Sequence, residues 1–431
     1  MAQIQEQTPS LRTEAIAGIT TFFTMAYIVV VNPAILSTEG TGMSFSGVLT
    51  ATVLVCFVMT LLMGLYARLP FAVAPGMGIN AFFTFTIILG MKVPWQSALG
   101  IIFWAGVLFL LISATPVRET IAKAIPPGLR IATAAGLGIF LTFIGLKNAG
   151  FIVADPVTFV KLGTLDAKSL LTLLGLGVNV WLLKRNSSLA FLSGIILVTL
   201  IAWLAGFVKA PAKFLSAPDF GSVFFKLDIF GALKLALLPA IISILFTDLF
   251  DSISTFIGVS QASGMLDEEG NPKNLKQGLM VDALATLGAG LVGTSSGTAY
   301  IESVAGIQAG GRTGMTSVFT ALCFLPCFFL APLAGMVPPY ATAPVLLLVG
   351  AAMFTSVAKI EFKHLEDSLP VFLTIVLIPL TFSITQGILW GFISHTALYL
   401  LAGRYKEIHP VMYALALISV GLLLLEHGRF S

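Results

Sequence analysis

The feature that most constrains this fold is a series of fourteen apolar runs that follow one another along the chain with short polar connections. A transmembrane helix needs about 20 mostly apolar residues. Only 10% of the 431 residues are charged and 57% are hydrophobic, against roughly 25% charged residues in soluble domains. The sequence therefore predicts an all-α polytopic membrane protein with transmembrane segments near residues 15–34, 46–66, 71–90, 95–114, 129–147, 168–184, 189–207, 232–258, 277–293, 294–309, 313–334, 342–357, 368–384 and 386–402.

The runs fall into two sets of seven, separated by a polar connection over residues 209–230. The motif Ile125-Pro126-Pro127-Gly128 near the fifth run resembles Val337-Pro338-Pro339-Tyr340 near the twelfth. Because each set contains an odd number of segments, the second repeat is expected to be inverted relative to the first. A further apolar stretch, residues 411–425, is consistent with either an extra span or an interfacial helix.

Two of the predicted segments are too irregular to be plain helices. The tenth lies within the glycine- and hydroxyl-rich stretch 293–314, and Pro70 and Pro75 interrupt the third. Irregular backbone survives at membrane depth only inside protein or beside a water-filled cavity. Broken segments in corresponding positions of two repeats are typical of a transporter site at the repeat interface. Aligning Pro75–Asn80 with Gly297–Glu302 makes Asn80 the counterpart of Glu302.

Three carboxyl groups fall inside these apolar segments. Glu302 lies in the first turn of the predicted half-helix of segment 10, whereas Asp248 and Asp251 lie three residues apart on one face of segment 8. Such residues are costly in lipid and usually functional. Burial and mutual repulsion favour the protonated form of at least one of them, so the cluster can carry a proton. The alternative for Asp248 is a structural bond to a neighbouring backbone or hydroxyl group, and structural roles are also expected for Asp282 and His395.

Other function classes lack their parts in this sequence. There is no phosphate-binding loop, nucleophile motif or pair of metal ligands, so neither an enzyme nor a cofactor or metal site is predicted. A net charge of +3 from scattered basic residues argues against nucleic-acid binding. Lys and Arg are more frequent in the loops on the side of the N-terminus, which predicts that both termini are cytoplasmic.

Four motifs, in order, give the chain its family resemblance. They are Ala17–Tyr27, Ala74–Phe83, Asp248–Ser252 and Gly293–Ser303. At these residues the chain resembles the AzgA-like purine permeases, a branch of the nucleobase-ascorbate transporter superfamily. The resemblance covers essentially the whole chain.

The resemblance implies a fold of two inverted 7-segment repeats divided between a core and a gate. The core domain would comprise residues 1–125 (segments 1–4) and 228–335 (segments 8–11). The gate domain would comprise 126–227 (segments 5–7) and 336–431 (segments 12–14 and the C-terminal apolar stretch). Short antiparallel strands in segments 3 and 10 would meet at the substrate site.

The resemblance also implies proton-coupled uptake of a purine nucleobase across the cytoplasmic (inner) membrane. By motif position, Asp251 and Glu302 would be the substrate carboxylates and Asn80 a supporting polar group. One carboxylate plus the backbone groups of two broken segments can satisfy the N–H donors and acceptors of a purine edge. The predicted substrate site is Glu302, Asp251, Asn80, Gly78, Thr298 and Tyr300, and the predicted proton-coupling residues are Asp251, Asp248 and Glu302.

Several alternatives remain at this stage. Adenine, guanine, hypoxanthine and xanthine are all candidate substrates. The chain departs from the family pattern at Ser254 and Gly297, and these departures leave the choice among purines open. A same-fold transporter of uracil, ascorbate or an anion is a second hypothesis, although a site with two acids and no base disfavours anions. A receptor or an intramembrane enzyme is a third. The expected partners are the purine, protons and membrane lipid, with a homodimer also possible.

Overall fold

The computed structural model describes residues 9–115, 124–263, 265–266, 272–360 and 362–427. In this part of the chain, eight helical stretches are long and apolar enough to cross a membrane. They are Leu11–Leu36, Phe45–Ala67, Trp95–Ala114, Pro127–Asn148, Ala167–Lys184, Leu235–Ser260, Leu275–Val292 and Pro339–Lys359. Shorter apolar helices over Met77–Gly90, Ala190–Leu204, Gly314–Phe329 and Pro410–Leu424 accompany them.

The first repeat runs from the N-terminus to segment 7. Segment 1 consists of two helices that are interrupted at Ala26 and Tyr27. Segment 3 is a strand followed by a half-helix that continues as a π-helix over Phe82–Gly90. The elements are α1 (Leu11–Met25), α2 (Ile28–Leu36), α3 (Phe45–Leu62), β1 (Val73–Pro75), α4 (Met77–Ala81), α5 (Trp95–Ala114), α6 (Pro127–Asn148), β2 (Ile152–Asp155), β3 (Phe159–Leu162), α7 (Ala167–Lys184) and α8 (Ala190–Leu204).

The second repeat has the same order of long helices around a broken segment. Segment 10 is a strand followed by a six-residue half-helix. The elements are α9 (Leu238–Ser263), α10 (Leu275–Val292), β4 (Gly297–Ala299), α11 (Ser303–Gln308), α12 (Gly314–Phe324), α13 (Ala331–Gly335), α14 (Pro339–Phe354), α15 (Leu365–Thr381), α16 (Ile384–Leu401) and α17 (Pro410–His427). The predicted two inverted 7-segment repeats with short antiparallel strands in segments 3 and 10 are confirmed.

Local sequence explains where several helices begin. Pro127 and Pro339 occupy the first turns of α6 and α14, where the missing N–H costs nothing. Side chains cap other helices: Ser44 accepts a hydrogen bond from the Gly47 N–H at 3.3 Å at the start of α3. These signals lie in the sequence itself, which is why the segment boundaries were predictable.

The two repeats approach each other closely where α6 packs against α14. A Cβ atom on Gly138 would lie 2.5 Å from the carbonyl oxygen of Gly350, and one on Gly350 would lie 2.4 Å from that of Gly138. Only glycine permits this approach, which is typical of tight helix contacts in membranes. The pair thus joins segments 5 and 12, the corresponding segments of the two repeats.

Two further elements lie outside the fourteen segments. The strands β2 and β3 form an antiparallel hairpin in the connection after α6, which the apolar pattern did not predict. The helix α17 covers the C-terminal apolar stretch, and its Leu422 and Leu423 pack against Leu389 of α16. With 18 residues, α17 is about 27 Å long, close to the hydrocarbon thickness of about 30 Å.

The long connection before segment 8 is tied to segment 2 through Asp219. Its carboxylate accepts hydrogen bonds from the hydroxyls of Ser46 (2.7 Å) and Ser222 (2.5 Å). Partial burial raises the pKa of Asp219, but these hydroxyls and the backbone N–H groups of Ser222 and Gly221 outweigh it and lower the pKa to about 2. The carboxylate therefore stays ionised and holds this connection against the start of α3.

Candidate substrate site

Strands β1 and β4 lie side by side in the middle of the bundle and are fully buried. They pair antiparallel, with Ala74 opposite Thr298 and Pro75 opposite Gly297. Counted from the end of each strand, Gly78 follows Pro75 by three residues, as Glu302 follows Ala299. The predicted overlay of Asn80 on Glu302 is therefore wrong by two residues, because proline and glycine spacing does not determine where a strand ends.

The backbone of the two broken segments is satisfied by the protein around it. Thr60 of α3 accepts from the Val73 N–H at 2.9 Å and donates to its carbonyl at 3.1 Å. The Ala72 N–H donates to the Ser303 hydroxyl at 3.0 Å, and the Gly76 N–H donates to the Ser296 carbonyl at 2.8 Å. These bonds are the reason that extended backbone is stable at this depth.

Glu302 stands immediately before α11 and is bonded to a residue from the other repeat. The Tyr27 hydroxyl donates to Glu302 Oε1 at 2.6 Å. Tyr27 lies in the break between α1 and α2, is 1% exposed, and its ring makes an edge contact with Phe191 of α8 at 5.2 Å between centroids. Tyr27 belongs to the family motif Ala17–Tyr27, but it is not among the residues that the sequence predicts for the site. A buried tyrosine in an apolar run needs a hydrogen-bond partner, and that signal identifies it in retrospect.

Tyr300 also bridges the two broken segments. Its hydroxyl donates to the Pro75 carbonyl at 2.5 Å, so the side chain is committed to β1. Its backbone N–H donates to the Ala72 carbonyl at 2.9 Å. Tyr300 therefore fixes the register of the strand pair beside Glu302.

Asp251 faces α6 across a small cavity. The cavity, of about 20 Å³, is lined by Arg130, Thr133, Ala134 and Leu137 of α6 and by Thr247, Phe250, Asp251 and Ser254 of α9. Such a volume holds about one water molecule. The carboxylates of Asp251 and Glu302 are close enough to repel each other electrostatically. No Lys or Arg lies near the acids in the sequence, but the bundle brings Arg130 to the same cavity as Asp251 from a distant part of the chain.

Asp248 and Asp282 lie in a hydroxyl network between segments 8, 9 and 10. Asp248 Oδ2 accepts from Ser296 at 2.7 Å and from Thr286. Asp282 Oδ2 accepts from Thr298 at 3.3 Å and from Ser252. This geometry matches the structural role expected for Asp282 and the structural alternative for Asp248. It also directs the hydroxyl of Thr298, a predicted substrate residue, toward Asp282.

The remaining predicted residues are buried at the same level of the bundle. The Asn80 Oδ1 accepts a hydrogen bond from Ser295, while its Nδ2 has no hydrogen-bond partner within the described residues. A Cβ atom on Gly78 would lie 3.0 Å from Leu137 of α6, so this glycine lets α4 approach α6. At Gly297, a Cβ would lie 2.9 Å from that of Ala285. Close packing against α10 therefore explains why glycine stands at this position, where the chain departs from the family pattern.

His395 lies away from these residues. It lines a second cavity, of about 330 Å³, with Lys359, Asp367 and Tyr399, and its ring lies 4.3 Å from that of Tyr399. It is 6% exposed, as expected for a packing residue. Across the described residues, no group of three or more His, Cys, Asp or Glu side chains is arranged to hold a metal ion.

Comparison with known proteins adds two findings. Residues 12–390 match the model of a family described as the permease family. The chain is 42% identical to the adenine permease AdeP of Escherichia coli, over 97% of this chain and 94% of that protein. It is 38% identical to the guanine/hypoxanthine permease PbuO of Bacillus subtilis, over 97% of this chain and 98% of that protein.

A solved structure shares the fold at much lower sequence identity. The transmembrane domain of the cyanobacterial bicarbonate transporter BicA superposes with a TM-score of 0.66 at 17% identity. The match covers 88% of this chain and 97% of that domain. At this identity the likeness concerns the fold alone.

Proposed function

The chain belongs to the permease family and resembles its AzgA-like nucleobase permeases along almost its whole length, and on this premise we propose that it imports purine nucleobases together with protons. It is a multi-pass membrane protein and a transporter of nucleobases. The purine class, the coupled proton and the site residues are the proposal. The membrane is taken to be the cytoplasmic one, with both termini on the cytoplasmic side.

The observation that carries the proposal is the Tyr27–Glu302 hydrogen bond beside the paired strands. A carboxylate accepts at two oxygens and four lone pairs. Tyr27 engages one oxygen, and the second remains for the N–H groups of a flat, neutral ligand. A purine edge offers such donors next to ring acceptors, and the backbone N–H groups in the first turn of α4, at Met77 and Gly78, supply the complementary donors.

The proposed domains follow from how the helices pack. The core is residues 1–125 with 228–335, in which α5 packs along α10 and β1 pairs with β4. The gate is residues 126–227 with 336–431, in which α6 packs along α14 and α15. Rocking of the gate against the core would expose the site alternately to each side.

Coupling to protons requires a carboxyl group that can bind and release a proton and is not held by structural hydrogen bonds. Asp248 accepts two hydroxyl hydrogen bonds, whereas Asp251 faces the cavity between core and gate. We therefore assign the proton to Asp251, substrate binding to Glu302, and a supporting role to Asn80, Gly78, Thr298 and Tyr300.

Competition with reconstituted protein tests the substrate class. Binding of a labelled purine is measured in proteoliposomes against adenine, guanine, hypoxanthine, xanthine, uracil, ascorbate and bicarbonate. The proposal expects purines alone to compete at low concentration. No saturable binding of the labelled purine, or displacement by uracil, ascorbate or bicarbonate at lower concentrations than by any purine, would assign the site to another small substrate.

A further inference from the structure

Arg130 is the one basic side chain among the residues that line the cavity beside Asp251. It lies in the first turn of α6, in the proposed gate, whereas Asp251 lies on α9, in the proposed core. Three of the other residues that line the cavity, Thr133, Ala134 and Ser254, are small. The cavity itself has room for about one water molecule.

The Arg130 side chain lacks a partner. Its Nε atom is buried without a hydrogen-bond acceptor, and within the described residues the guanidinium forms no ion pair. A buried donor of a charged group left unpaired is costly, and such groups in native structures require an explanation. An acceptor that arrives in another state of the transport cycle supplies one.

Asp251 is the acidic group that lines this cavity together with Arg130. Among the described residues, the charged and titratable groups around Asp251 are Glu302 before α11, Asp248 on its own helix, Asp282 on α10, Tyr300 after β4 and Arg130 on α6. Tyr300 is a neutral phenol, whereas Glu302, Asp248 and Asp282 oppose ionisation of Asp251 when they are themselves charged. Arg130 alone favours it.

We infer that Arg130 is the counter-ion of Asp251: it pairs with the ionised carboxylate across the cavity that both side chains line and is released when Asp251 takes up a proton. The pair would tie α6 to α9, and so gate to core, whenever the proton has left. Arg130 is thus a positioning residue for coupling that acts through Asp251. The inference rests on the proposed function, because it assumes that Asp251 carries the coupled proton.

The test is the pH dependence of purine uptake for the wild type, Arg130→Met and Arg130→Lys in proteoliposomes. Methionine keeps length and apolar packing without the charge, and lysine keeps the charge. We expect the pH midpoint of uptake to move to higher pH by about one unit in Arg130→Met, on the scale of a neighbouring opposite charge. The midpoint of Arg130→Lys should stay near that of the wild type.

Two further measurements keep the outcome interpretable. Arg185→Met removes another arginine of the proposed gate, one that stacks on Trp181 at 4.1 Å, and should leave the midpoint unchanged. If Arg130→Met does not fold, as judged by its melting profile in detergent, Arg130→Gln replaces it.

The possible failures are distinguishable. Uptake by the wild type that is independent of pH would refute the proposed proton coupling itself. A pH-dependent wild type with the same midpoint in the uncharged Arg130 variant would overturn the counter-ion role alone. Loss of purine binding at every pH in that variant, while Arg130→Lys binds normally, would also overturn it, because Arg130 would then be a substrate ligand.

Discussion

The hydroxyl of Tyr27 donates to the carboxylate of Glu302 across 2.6 Å, although 275 residues separate the two in the chain. The bond joins the break in segment 1 to the break in segment 10. It places a fixed donor on one carboxylate oxygen and so orients the other. This relationship leads to the first prediction.

Replacing Tyr27 with phenylalanine should weaken purine binding about tenfold, or about 1.4 kcal/mol, because a hydrogen bond to a charged group is lost and Glu302 is no longer held in place. The ring contact with Phe191 is retained. Equilibrium binding of labelled purine to purified protein measures the effect. Tyr66→Phe, at a tyrosine that is 55% exposed, is the matched control. Unchanged or tighter binding in Tyr27→Phe would contradict an orienting role.

Glu302→Gln should abolish detectable purine binding, with an expected loss of at least about a hundredfold, or about 3 kcal/mol. The amide presents N–H donors where the purine also presents donors, so repulsion replaces attraction. The same binding assay measures it. Glu39→Gln changes an exposed glutamate in a loop and should bind as the wild type does. Wild-type affinity in Glu302→Gln would reject the assigned role.

Asp251→Asn imitates a permanently protonated acid and should keep purine binding within about tenfold. It should abolish accumulation against a gradient, because the proton can no longer be released. Counterflow exchange of labelled for unlabelled purine should survive, since exchange needs alternating access with bound substrate but no proton release.

Asp248→Asn is the matched control for that experiment. Because Asp248 accepts hydroxyl hydrogen bonds from Ser296 and Thr286, the change should cost about 1–3 kcal/mol of stability and leave coupling intact. Normal accumulation in Asp251→Asn with loss of accumulation in Asp248→Asn would reverse the two roles. Retained coupling in both would place the proton elsewhere.

Uptake by the wild type should rise as the external pH falls and should collapse when a protonophore is added. A neutral purine gains nothing from the membrane potential by itself, so concentrating it requires a coupled ion. Initial rates in energised vesicles across pH 5 to 8, with and without sodium, measure this. Uptake that depends on sodium and ignores pH would assign a different coupling ion.

The features that could be predicted from the sequence are those that the bilayer requires of each segment separately. A span must be apolar along its length, so the fourteen segments, the two sets of seven and the broken third and tenth segments were all readable. Glu302, Asp248 and Asp251 were conspicuous because carboxyl groups are rare at membrane depth. Helix starts at Pro127 and Pro339 were local signals as well.

The sequence by itself therefore determined the segments, their repeat and the acids. The tertiary structure decided which partner each acid has. Tyr27 meets Glu302, Arg130 comes to the cavity of Asp251, and the hydroxyls of Ser296 and Thr286 engage Asp248. The strand register, which puts Gly78 rather than Asn80 in the position of Glu302, was also decided there. The physical reason is that these contacts join residues far apart in the chain, and only the packing of whole helices brings them within hydrogen-bonding or Coulombic range.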